Sequence, residues 1–201
     1  TNRTFGNEGR ALMEGVDLQL NWQRSLGPGN FSLQSVANYN LAAETQDRAD
    51  LATEDHAGFN DCGLQIQCQR YDYRLFSQFS YAQGPWNVTL RHQYWPGLDD
   101  QDCRGSVTAE DCLYDSYPTY QLFALTGGYT FADRYRVNVG IENLLDEEPP
   151  CLGFDPNPVF LRDITNPATG SGYTQGCTHS GNGSTFDPLG RRFFLSMTMD
   201  F

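Results

Sequence analysis

Apolar and polar residues alternate along most of this chain with a period of two. In the stretch GVDLQLNWQR, from Gly15 to Arg24, Val16, Leu18, Leu20 and Trp22 share one side while Asp17, Gln19, Asn21 and Gln23 share the other, the repeat of a β-strand. A Gly-Pro-Gly turn follows, and Phe31, Leu33, Ala37, Tyr39 and Leu41 then line one face of a second strand, completing a hairpin. The pattern recurs about the turn Gln83-Gly84-Pro85, with Trp86, Val88, Leu90 and Tyr94 on one face, and about the short ADR turn, where Val137, Val139 and Ile141 align. The chain ends RRFFLSMTMDF, with Phe193, Leu195, Met197, Met199 and Phe201 on one side and Arg192, Ser196, Thr198 and Asp200 on the other. Seven strands are expected, over about 14–25, 30–43, 71–82, 86–95, 119–131, 135–145 and 191–201. Most reach ten residues, longer than the usual five or six. No stretch repeats at 3.6, so no helix is expected.

The connections are asymmetric. Turns within hairpins are tight, whereas the links between hairpins are long: about 44–70, 96–118 and 146–190. Because successive strands reverse direction, the tight turns gather at one end and the long links at the other. Long links without secondary structure count against a compact soluble domain. They suit an outer-membrane barrel, with short periplasmic turns and long extracellular loops. Trp22, Tyr39, Tyr71, Tyr81, Trp86, Tyr94, Phe193 and Phe201 all stand near expected strand ends, the aromatic girdles of such a barrel. The fold expected is therefore all-β, an antiparallel transmembrane β-barrel, with the apolar face toward lipid and Asp, Gln, Asn and Arg toward a polar lumen.

Composition narrows the partners. The formal net charge is -12, with thirteen basic residues, all arginine, which argues against nucleic acid, because phosphate binding needs a basic stripe. No apolar run reaches the roughly eighteen residues of a membrane-spanning helix, a fact silent about barrels. The chain opens without Met or a signal segment, as expected of a mature product or a fragment. Six cysteines suggest an oxidising compartment. They fall as Cys62 and Cys68, Cys103 and Cys112, and Cys151 and Cys177, each pair within one long link. Local disulfides are the economical pairing among the many connectivities, with zinc as the rival reading at irregular spacings.

Several stretches together resemble the C-terminal part of a TonB-dependent outer-membrane receptor. NEGRALMEGVDLQLNWQ is similar to that family's loop-to-strand segment; YRVNVGIENLLDEEPP resembles its next-to-last strand through Glu142, Asn143, Leu144, Leu145, Asp146 and Pro149; and DPLGRRFFLSMTMDF resembles its last, with Phe186 where Tyr is usual before Asp187. The resemblance implies the last seven strands of a barrel of about twenty-two. Seven cannot close such a sheet, so a fragment is expected, residues 1–201 forming one C-terminal barrel portion without the plug domain. It further implies an outer-membrane location in a Gram-negative bacterium, active import of a scarce ligand such as a siderophore, cobalamin or glycan, and coupling to the inner-membrane TonB complex through an absent N-terminal part. The expected partners are outer-membrane lipid, the rest of the barrel with its plug, and the transported ligand. Phe201 would be the terminal aromatic read by the assembly machinery. Two alternatives stay open: a passive porin or adhesin barrel, and a secreted soluble β-sandwich that binds carbohydrate.

No enzyme is expected. His56, His92 and His179 are scattered, and no nucleophile elbow, metalloprotease helix motif or phosphate loop is present; no cofactor is implied. Ligand contacts are expected from Trp95, Tyr117, Phe154, Phe160 and Tyr173, aromatics on which sugars or flat chelates stack, although each could instead pack its own loop. Asp99, Asp100 and Asp102 could hold calcium, but without a complete calcium loop they also suit a solvated acidic link. Arg74, Arg91 and Arg136 fall on the expected lumen face, where Asp17, Asp72 or Glu142 could pair with them. Triplets beginning at Asn2, Asn30, Asn87 and Asn182 match a glycosylation acceptor, a pattern Asn-rich chains produce by chance.

Overall fold

The computed structural model describes residues 9–46, 48–60, 69–100, 116–132, 134–148, 186–187 and 189–199. All its regular elements are strands: β1 (Arg10–Leu26), β2 (Gly29–Gln46), β3 (Glu54–Asp55), β4 (Phe59–Asn60), β5 (Gln69–Arg70), β6 (Tyr73–Gln83), β7 (Trp86–Trp95), β8 (Leu98–Asp100), β9 (Ser116–Tyr117), β10 (Tyr120–Phe131), β11 (Tyr135–Glu142) and β12 (Arg192–Met199). The seven long ones form one antiparallel sheet in the order β1-β2-β6-β7-β10-β11-β12, with β3 added at the end of β2. The links carry short strands that the period-two pattern does not disclose. β5, β4, β8 and β9 make a second sheet, in which β4 and β8 run parallel.

Two hairpin turns follow from their residues. Gly27-Pro28 and Gly84-Pro85 are two-residue loops in which the glycine takes φ of 59° and 55°, the geometry that places glycine first and leaves proline its usual negative φ. Behind the first turn the Tyr81 ring lies over Gly29, where any Cβ would collide with it. Its hydroxyl donates to the Leu26 carbonyl at 3.1 Å.

The register lines up whole rows across the sheet. One apolar row reads Trp22, Leu33, Phe79, Leu90, Leu125, Ile141 and Phe193; a neighbouring polar row reads Gln23, Ser32, Ser80, Thr89, Thr126, Gly140 and Phe194. Two adjacent glycines reveal which way the sheet curls. A Cβ on Gly128, on the polar side, would stand 2.6 to 2.9 Å from the Asn87 and Asn138 side chains. One on Gly127, on the apolar side, would meet nothing closer than 3.9 Å. Side chains converge on the concave side of a curved sheet and splay on the convex side, so the polar face is the inside.

The convex face is apolar and uncovered by any described residue. Phe193, Leu195 and Met197 are 73%, 74% and 60% exposed. Aromatic pairs mark both ends of this band. Trp86 with Tyr129 (centroids 4.3 Å) and Phe131 with Tyr135 (5.0 Å) stand by the tight turns, while Tyr73 with Tyr94 (5.9 Å) stands by the links. From Trp86 to Tyr94 is about 27 Å along the strand at a rise of ~3.4 Å. A tilt near 40° brings this to roughly 20 Å along the membrane normal, close to the height of a barrel's apolar band. Polar groups on this face partner one another: the Ser35 and Ser77 hydroxyls are 3.0 Å apart, and His92 Nε2 lies 3.3 Å from Gln121 Oε1 while its ring stacks on Phe123 at 4.4 Å. Tyr71 departs from the girdle expected for it. It precedes β6 and is buried among the links.

Candidate functional site

The concave wall is the surface a transported molecule would meet. β1 contributes Asp17, Gln19, Asn21 and Gln23 by simple alternation, and the register sets them beside Asn38, Val36, Gln34 and Ser32 of β2. Gln34 in turn faces Gln78 of β6, and Gln78 faces Arg91 of β7. The wall carries both paired and unpaired charges, Arg74 and Arg136 standing exposed on it. Asn38 Nδ2 donates to Asp17 Oδ1 at 2.6 Å. Arg91 reaches across Ala124 of β10, whose small side chain leaves room, and its Nη2 lies 2.5 Å from Glu142 Oε1. Toward the tight turns the polar wall carries Arg136, beside Thr130 and Thr198 in the register, and a cavity of about 440 Å3 is lined by Gln23, Arg24, Ser25, Asn30, Phe31, Ser32, Ser80 and Ala82.

At the other end, the mouth, a small core closes over the wall between β7 and β10. Tyr71, Leu98, Tyr120 and Phe186 are buried together, with Trp95 and Leu122 packed against them. Tyr120 is 1% exposed, with Phe186 edge-on at 4.9 Å and Trp95 tilted at 5.4 Å. Burial lifts the Tyr71 phenol above its ordinary range, against a smaller opposing pull from Arg74. Burial also raises the Asp72 carboxyl, helped by the charges of Asp55 and Asp99. The mouth is therefore an acidic rim around an aromatic plug of side chains.

Beside it lies the neck of the longest link. Asn143 leaves β11 in the left-handed region, φ 50°, and is 2% exposed. Its amide makes a reciprocal pair with Glu147, donating to the carbonyl and accepting from the N–H at 2.8 Å each. Leu144 N–H donates to the Phe123 carbonyl at 2.7 Å. Asp146 Oδ1 accepts the Arg191 N–H at 2.8 Å across 45 positions of sequence. On the returning side, Asp187 Oδ1 accepts from Arg192 Nη1 at 2.6 Å and from Leu189 N–H at 3.0 Å, and its own N–H donates to the Tyr120 hydroxyl. The Arg192 hydrogen bond holds the Asp187 carboxyl below its usual range. The two motifs quoted above from the next-to-last and last strands are thus one device in space, pinning both ends of the link.

The expected site residues divide clearly. Trp95 lies at the mouth, half-buried on Tyr120. Tyr117 belongs to β9, and only its backbone is described. Phe154, Phe160, Tyr173 and Phe201, like all of Cys62, Cys68, Cys103, Cys112, Cys151 and Cys177, lie outside the described residues. Asp99 is exposed on β8, Asp100 is described by its backbone alone and Asp102 is not described; no three metal-binding groups converge among the described residues. Asn30 and Asn87, which open two glycosylation triplets, sit in rows of the concave wall. The mouth core and the joining of the two neck motifs were missed from sequence because they bring strand ends together with links that have no period.

An antiparallel sheet, apolar and girdled outside, polar and concave inside, with tight turns at one end and built links at the other, defines part of an outer-membrane β-barrel. A family model described as TonB dependent receptor-like, beta-barrel, matches residues 1–144. The chain belongs to that family, one of outer-membrane receptors and transporters rather than enzymes. No curated protein and no solved structure matches it.

Proposed function

We propose that this chain forms residues 1–201 of the C-terminal barrel portion of an energy-coupled receptor that imports a scarce ligand across the outer membrane of a Gram-negative bacterium. In this reading the links at 44–70, 96–118 and 146–190 are extracellular loops, the remainder of the barrel and its plug complete the lumen, and the inner-membrane TonB complex supplies the energy. The observation that supports it most is the neck: the chain fastens both ends of its longest link to the strands and to a buried mouth core, which suits a loop that presents a binding surface. A porin or adhesin barrel has the same strands and remains the second reading. A soluble sandwich does not suit a convex face of leucine, methionine and phenylalanine left uncovered by any described residue.

Uptake by cells carrying the receptor should collapse when the proton gradient is dissipated. Uptake indifferent to the gradient would sink the energy-coupled reading in favour of a porin. Ligand contacts from Trp95, Tyr117, Phe154, Phe160 and Tyr173, and disulfides within each cysteine pair, belong to the same proposal.

A further inference from the structure

Resting on the receptor reading, a narrower inference concerns how the longest link and the lumen wall act on each other. We propose that Asp187, Arg192, Glu142 and Arg91 form one relay of alternating charge. The two arginines compete in it for Glu142, so that the neck of the link and the charge Arg91 offers the lumen regulate one another.

Strand register joins the two ion pairs. Glu142 and Arg192 are direct partners across β11 and β12, which sets their Cβ atoms about 5 Å apart on one face. From the neck into the wall the order is therefore Asp187, Arg192, Glu142, Arg91, and the sign of the charge changes at every step. Arg192 Nη1 holds Asp187 Oδ1 at 2.6 Å, and Arg91 Nη2 holds Glu142 Oε1 at 2.5 Å. The two central groups keep unused capacity toward each other. A guanidinium has five donors and a carboxylate two oxygens, yet Glu142 Oε2 and the Nε and Nη2 of Arg192 bond to no described residue. Glu142 is also close enough to act on the Arg192 charge.

The relay connects two places. Its outer end is fastened to both sides of the neck. Glu142 directly precedes Asn143, where the chain turns out of the sheet, and Asp187 accepts the Leu189 N–H while its own N–H donates to the Tyr120 hydroxyl in the mouth core. Its inner end, Arg91, stands in the wall beside Gln78. Arg74 and Arg136 stand exposed on the same wall, whereas Arg91 is held by a carboxylate.

Competition follows from this order. The side chains are 39% and 33% exposed for Arg91 and Glu142, and 40% and 15% for Arg192 and Asp187, so a change of partners strands no charge in a dry interior. When the neck opens and Asp187 withdraws, Arg192 turns to its register partner Glu142. The hold on Arg91 weakens, and its charge becomes available to the lumen. In the other direction, an anionic group in the lumen that takes Arg91 leaves Glu142 to pull Arg192 away from Asp187. Such coupling is reciprocal by thermodynamic necessity.

The test uses the full-length receptor in detergent, with hydrogen exchange read by mass spectrometry on peptides spanning Asn143–Glu147 and Asp187–Arg192. Arg91→Gln frees Glu142 to compete for Arg192 and should speed exchange at the neck about two- to fivefold, the size of a part-exposed ion pair. Glu142→Gln removes the competitor and should leave the neck no faster than wild type. The double variant Arg91→Gln/Glu142→Gln should return to the wild-type rate, and Arg91→Lys, which keeps the charge, should match it. Loss of an ordinary ion pair would speed both single variants alike. The reverse direction is read in a second variant: Asp187→Asn should speed phenylglyoxal modification of Arg91 by a similar factor. Unchanged neck exchange in Arg91→Gln, equal acceleration in Glu142→Gln, a double variant as fast as Arg91→Gln, or unchanged Arg91 reactivity in Asp187→Asn would each overturn the relay. Neither measurement needs cargo or a proton gradient, so their failure leaves the receptor reading standing. Gradient-independent uptake would remove that reading and leave the coupling in place.

Discussion

At the residue scale, two side-chain environments make sharp predictions. Asp187 is held ionised chiefly by Arg192, so its folded carboxyl titrates below its unfolded range, near 3.9. Its stabilising contribution is then complete above the unfolded value and is lost as pH falls through the folded one. Asp187→Asn should lower the thermal unfolding temperature at pH 7, and the gap from wild type should close below about pH 4; a gap independent of pH would refute the ion-pair account. The adjacent glycines supply the second case. Gly128→Val must push into Asn87 and Asn138 and should cost about 1 to 3 kcal/mol as an overpacked site, whereas the Cβ of Gly127→Val makes only ordinary contact, with Val139 at 3.9 Å, and the substitution gains strand propensity. Thermal melts of the two variants compare them directly. Equal effects would mean that the polar face is not the concave one. Neither glycine's environment is legible in the sequence, where GlyGly in a strand reads only as a weak point. The neighbours that distinguish them come from β7 and β11.

At the scale of elements, the alternation was sufficient to find the long strands and to sort their residues between two faces. Leu195 and Ser196 test that sorting on β12. Arginine at 195 would enter the lipid face and should cost about 2 to 4 kcal/mol if it lies near the midplane, visible as reduced folded receptor in the outer membrane. Arginine at 196 would enter the polar wall and should be tolerated. The short strands β3, β4, β5, β8 and β9 were not legible, because two- or three-residue strands carry too few positions to show a period. The end of β11 has a local cause that periodicity overlooks. The alternation read through Leu145 gives way at Asn143, whose left-handed backbone and clamp on Glu147 turn the chain out of the sheet.

For the whole molecule, the expected behaviour is that of a membrane barrel. The receptor should fractionate with the outer membrane and need detergent for extraction; recovery in the soluble fraction would contradict the reading of the apolar face. Non-reducing peptide mapping should find Cys62 linked to Cys68, Cys103 to Cys112 and Cys151 to Cys177, and free thiols at all six would remove the extracellular placement of the links. The sequence by itself determined the class of fold and the chemistry of each face, because a strand's side-chain period is two and every strand must send one set of residues to lipid and the other to water. It also contained both halves of the neck, Asn143 to Asp146 and Phe186 to Arg192, as motifs without a visible connection. What only the tertiary structure decided is which distant groups meet: Asp146 with Arg191, Arg91 with Glu142, and Tyr71, Leu98, Tyr120 and Phe186 in one core. Those contacts depend on strand register and on how the links fold back over the mouth. Both are long-range consequences of pairing that no local pattern encodes.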